Sequence, residues 1–132
     1  MKIPNNIHII YGLAKDFGWG EYEHFVSEVG KHMKRPAADS FNIMRYLAIK
    51  SAYEVNKPDN IFFYYCYEPR GEWWERAKKY ITPIKVEAPK EIFGNPIKSY
   101  AHQADVIRLQ LLIEEGGIYL DSDTLCLKPL TP

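Results

Sequence analysis

The run Glu114 to Pro129, EEGGIYLDSDTLCLKP, decides how this chain folds. A glycine pair, Gly116 and Gly117, closes what precedes it. A short apolar run from Ile118 to Leu120 follows, and then two aspartates, Asp121 and Asp123, separated by one serine. An apolar triplet directly after a left-handed glycine cap reads as a resumed, buried strand. Two carboxylates at the end of such a strand repel each other, and a divalent cation relieves that repulsion while gaining hard oxygen ligands. In an extended strand Asp121 and Asp123 are expected on one side with Ser122 opposite, so that both address one ligand and its metal. The competing reading is a solvated turn, because Asp and Ser favour turns and the D-x-D pattern arises easily by chance.

Upstream of the glycines, Ser99 to Glu115 reads as a helix of about four to five turns, with Gly116 or Gly117 at the left-handed cap position. Asp105 and Arg108, three positions apart, share a face of it that Leu112 continues, so they either pair with each other or hold a ligand. Further out, Ile43, Met44, Leu47, Ala48, Ala52 and Val55 recur at helical spacing within Phe41 to Val55, with Asp39 or Ser40 as N-cap and Pro58 beyond the end. Ile7 to Tyr11 reads as a buried first strand, and NIFFYYCYE, Asn60 to Glu68, as a central one. Gly71 to Tyr80 predicts a short helix, IKVEAP a short strand, and EIFGNPI a loop. Strands alternating with helices imply an α/β fold with a mostly parallel sheet flanked by helices. Ligands of such sheets sit beyond the carboxyl ends of the strands, where Asp121 and Asp123 fall.

Composition narrows the function. The 132 residues suit one domain, and 46% apolar and 14% aromatic residues describe a chain that folds. Seventeen basic residues balance seventeen acidic ones, so no net field draws the chain to nucleic acid. No apolar stretch reaches transmembrane length, and MKIPNNIHII is too short a run for a signal segment, so a cytoplasmic chain, or one at the cytoplasmic face of a membrane, is expected. Cys66 and Cys126 lack metal-ligand spacing and read as reduced, buried thiols in strand-like runs.

The ordered pattern A-D-x-x-R-x-x-x-L followed by G-G-x-Y-x-D-x-D is satisfied by Ala104, Asp105, Arg108, Leu112, Gly116, Gly117, Tyr119, Asp121 and Asp123. In this pattern the chain resembles the DXD-containing, sugar-nucleotide-dependent glycosyltransferases, a group including capsular polysaccharide glycosyltransferases, yeast mannosyltransferases and the clostridial glucosylating toxins. Ile3, Pro4, Ile7, His8 and Tyr11 resemble the family's opening I-P-x-x-I-H-x-x-W, with Tyr11 in place of Trp. Between about Phe17 and Pro96 the likeness rests on the strand and helix pattern alone. The resemblance implies a GT-A type nucleotide-binding domain, with residues 1–132 as its nucleotide-sugar-binding, N-terminal portion. It implies a nucleoside diphosphate sugar donor, commonly UDP-linked, a glycan or other acceptor, and transfer with retention. By the same resemblance Tyr11 contacts the uracil, Asp105 and Arg108 bind donor-sugar hydroxyls, Tyr119 walls the donor pocket, Asp121 holds ribose and sugar, and Asp123 ligates Mn²⁺ or Mg²⁺.

Two rivals stand beside that reading. A haloacid dehalogenase-type phosphatase needs D-x-D-x-[TV], whereas Leu125 occupies the last position, and its aspartates lie early in the chain rather than near residue 121. A non-catalytic or incomplete nucleotide-sugar-binding module is the second. Of the remaining candidates, His102 and Asp105 are too few for a zinc site, and His24 and His32 show no partner pattern. Trp73 and Trp74 are expected to pack, one ring inside and one at the surface, in preference to forming a sugar platform.

Overall fold

The computed structural model describes residues 3–13, 41–92, 94–97 and 100–130. Strand β1 is Asn6–Ile10, followed by helix α1, Ile43–Asn56, and strand β2, Asn60–Tyr65. Helix α2, Glu72–Ala77, runs into a 3₁₀ turn, Lys78–Tyr80, before β3, Thr82–Lys85. A two-residue pair, β4 (Glu91–Ile92) and β5 (Asn95–Pro96), precedes helix α3, Tyr100–Glu114, and strand β6, Ile118–Tyr119. Four strands form one sheet in the order β3-β2-β1-β6, every pair parallel. The expected α/β architecture, a parallel sheet flanked by helices, is thus present.

Strand alternation sorts the core into two layers. Ile7 and Ile9 of β1, with Ile61 and Phe63 of β2, face Ile49 and Ala52 of α1 and Trp74 and Ala77 of α2. On the opposite face Ile10 and Tyr64 meet Leu13 and Ile107 of α3. Because both faces of β1 and β2 are covered, these strands are apolar almost throughout. Trp74 is fully buried and in edge contact with Phe41, whereas Trp73 is half-buried beneath the Arg76 guanidinium, 4.8 Å from its ring centroid. One ring is inside and one outside, as the sequence predicts.

The order of the strands creates the feature that matters for a ligand. The chain builds outward from β1 through β2 to β3, then returns to lay β6 along the other side of β1. The crevice between β1 and β6 is therefore the point at which the winding reverses, the position where open parallel sheets bind ligands.

The glycine pair fixes how closely β6 approaches β1. Gly116 has φ of +67° and Gly117 of +95°, and a Cβ on Gly117 would lie 2.6 Å from the Asn6 carbonyl oxygen and 3.0 Å from His8 Nε2. Only glycine permits both the backbone angle and that approach. His8, wholly buried in β1, is held between the two neighbouring strands. Its Nε2–H donates to the Gly116 carbonyl at 2.9 Å, which leaves Nδ1 to accept from the Tyr64 hydroxyl at 2.9 Å. Pro4 packs on Gly116. The two sequence motifs at opposite ends of the chain are thus halves of one packing arrangement.

Several expectations need correction. The N-cap of α1 is Asn42, whose side chain accepts from Arg45 N at 3.0 Å, while Asp39 and Ser40 lie outside the described residues. Ile43, Met44 and Leu47 are exposed, so the buried stripe of α1 is the shorter Ala48, Ile49 and Ala52. EIFGNPI carries the β4–β5 pair instead of a plain loop. Cys66 is half-buried, and Cys126, although buried, lies beyond β6 and outside any strand.

Candidate functional site

Strand β6 ends at Tyr119, and the backbone then turns. The Thr124 amide donates to the Asp121 carbonyl at 3.1 Å, which closes a four-residue turn around Ser122 and Asp123. Asp121 and Asp123 therefore do not follow strand alternation, and their arrangement is set by the turn. Both are exposed.

On one side of the turn, four side chains are linked in series. Arg108 Nη2 donates to Asp105 Oδ1 at 2.8 Å, one helical turn apart on α3. The same guanidinium lies over the Tyr119 ring, 5.1 Å from its centroid, and the Tyr119 hydroxyl donates to Asp121. Burial, and next the Asp121 carboxylate, push the Tyr119 hydroxyl up to about 12, so it remains a proton donor at physiological pH. Of the two readings open for Asp105 and Arg108, the pair is made, but it is exposed and the guanidinium has further donors. On the other side, Arg45 from the first turn of α1 reaches over the Tyr11 ring, 4.1 Å from its centroid, and donates through Nη1 to Ser122 Oγ. Burial raises the Tyr11 hydroxyl and Arg45 opposes that rise. Tyr11 follows the last residue of β1, and its amide donates to the Tyr64 carbonyl at 3.0 Å.

The six residues singled out from sequence thus fall into one neighbourhood at the carboxyl edge. Asp105, Arg108, Tyr119 and Asp121 touch in sequence, and Tyr11 reaches the same turn through Arg45. Asp123 is exposed without a side-chain partner among the described residues. Beside this edge a cavity of about 700 Å³ is lined by Leu13, Cys66, Tyr67, Val86, Lys85 and Lys90, the segments leaving β1, β2 and β3.

The match to known proteins follows these residues. The family described as the glycosyltransferase sugar-binding region containing the DXD motif matches residues 43–132. This chain belongs to that family. It is also 37% identical over 129 residues to glucan organizing enzyme 1 of Cryptococcus neoformans var. grubii serotype A, a match that covers 98% of this chain and 31% of that protein. The chain therefore spans about a third of the length of that curated relative. No solved structure matches.

Within this glycosyltransferase frame, the DXD aspartates are Asp121 and Asp123. Among the described residues no three His, Cys, Asp or Glu side chains form a ready-made metal cluster. Two carboxylates nonetheless fit Mg²⁺ or Mn²⁺, which protein sites often hold by one or two carboxylates while substrate phosphates and water complete the shell. No described helix is long and apolar enough to cross a membrane. His102 is exposed, and His24 and His32 lie outside the described residues. Sequence reasoning missed Arg45 and Ser122. The available signal was a lone basic residue in the mostly apolar run FNIMRYLAI, and nothing local connects it to a turn 77 positions away.

Proposed function

We propose that this chain forms the donor-binding part of a retaining, metal-dependent glycosyltransferase that moves a sugar from a UDP-linked donor to a glycan or other acceptor. The observation that carries this reading is the continuous contact from Asp105 through Arg108 and Tyr119 to Asp121, set at the winding reversal of a parallel sheet. Asp105 and Arg108 bind donor-sugar hydroxyls. Tyr119 walls the pocket and keeps Asp121 oriented for ribose and sugar. Tyr11 lies against the uracil. Asp123, with no competing side-chain partner, ligates Mn²⁺ or Mg²⁺. When bound, such an ion neutralises the charge that gathers on the departing diphosphate.

The test is isothermal titration of the chain with a UDP-sugar, with and without Mn²⁺. Binding should strengthen with Mn²⁺, and Asp123→Asn should remove most of that gain because an amide lacks the attracting charge. Asp121→Asn should weaken the donor in both conditions. Equal affinity with and without the ion would reject the metal role, and transfer from donor to acceptor separates an enzyme from a module that only binds.

A further inference from the structure

Arg45 is the one cation whose contacts span both sides of the crevice among the described residues. Its guanidinium covers Tyr11 at the end of β1 and donates to Ser122 in the turn after β6. It is half-buried and has no carboxylate partner among the described residues, although Asp121 and Asp123 flank the serine it touches. A guanidinium carries five N–H donors in a planar fork, and contacts to the Ser122 and Tyr11 hydroxyls engage only part of that fork. The serine contact has a second effect. It leaves both neighbouring carboxylates without a cationic partner among the described residues, Asp121 accepting from the Tyr119 hydroxyl alone, so one turn presents an anion-binding group and a cation-binding pair side by side. A ligand that carries both signs together, a diphosphate with its divalent ion, matches that layout.

We infer that Arg45 is a further donor-binding residue, taking non-bridging phosphoryl oxygens of the nucleoside diphosphate in the crevice between β1 and β6. This rests on the donor-site reading above. Tyr11 fixes the plane of the guanidinium, and Ser122 holds it in the free protein until the phosphate arrives. The alternative is that Arg45 only braces the turn through Ser122.

The probe is UDP with Mn²⁺, titrated into the full chain and into Arg45→Gln, Arg45→Lys and Ser122→Ala, with folding followed by circular dichroism and thermal unfolding. Loss of a charge-assisted contact predicts UDP affinity down about tenfold or more in Arg45→Gln. Arg45→Lys, which keeps the charge without the fork, should fall between that and wild type, and Ser122→Ala should stay near wild type. Wild-type affinity in Arg45→Gln, or a loss in Ser122→Ala equal to that of Arg45→Gln, overturns the inference while leaving the donor site intact. If Arg45→Gln does not fold, Arg45→Lys decides, and wild-type affinity there overturns it. Absence of UDP binding by the wild type rejects the donor site and this inference together.

Discussion

His8 shows how a single side chain can join three strands. One ring nitrogen serves the Gly116 carbonyl beside β6 and the other serves Tyr64 of β2, with the ring stacked near Phe62 and Tyr64. Because the ring is fully buried, each nitrogen depends on its partner. Tyr64→Phe removes the hydroxyl and leaves Nδ1 unsatisfied, which should cost about 1–3 kcal/mol. Urea unfolding of the variant measures it, and an unchanged midpoint would show that the hydroxyl contributes nothing. Neither role was visible from the sequence, where His8 is simply a polar residue in an apolar strand. The bond from Tyr119 to Asp121 was not legible either, since it depends on the turn and not on the strand alternation expected for the two aspartates.

At the scale of elements, the join between α3 and β6 has little freedom. Gly117→Ala would drive a Cβ to 2.6 Å from a backbone oxygen at an unfavourable φ, whereas Gly116→Ala meets only Pro4 Cδ at 3.3 Å. The first should lose about 2–3 kcal/mol and the second about 1 kcal/mol. Paired chemical denaturation gives the ranking, and equal losses would mean that the close approach to β1 is unimportant. Helix α3 carries an opposite kind of feature. Gln103 is buried and its Oε1 has no hydrogen-bond partner among the described residues. Gln103→Met keeps the volume and removes an unsatisfied amide, so stability should rise by about 1 kcal/mol. A drop in melting temperature would reveal a partner for that oxygen. The periodicity of α3 and the glycine signal made both elements readable. On α1, by contrast, apolar spacing overstated the buried face, because Ile43, Met44 and Leu47 project away from the sheet.

For the molecule as a whole, two tyrosines couple stability to alkaline pH. Burial is the main cause that lifts both Tyr64 and Tyr119 from 10 to about 12. A raised folded value means the folded protein holds the phenolic proton more tightly than the unfolded chain does. Their contribution is therefore complete below pH 10 and disappears as pH climbs towards about 12. Denaturation midpoints should fall across that window, and a flat profile would show that both hydroxyls titrate normally. The alternation of strands and helices disclosed the sheet and its carboxyl edge because period and turn chemistry are local. The turn at Asp121 is local and was one of the two readings its Asp and Ser residues left open, whereas strand order and the Arg45 bridge were hidden because each depends on segments distant along the chain. That distance has a kinetic meaning. His8 and Gly116 are 108 positions apart, whereas β1, β2 and β3 pair over shorter separations. Docking of β6 closes the longest loop for a strand of two residues, so it should come late in folding and be the first pairing to open. A molecule lodged across β1 and β6 would act as a latch, slowing amide exchange at Leu120 more than at Phe63.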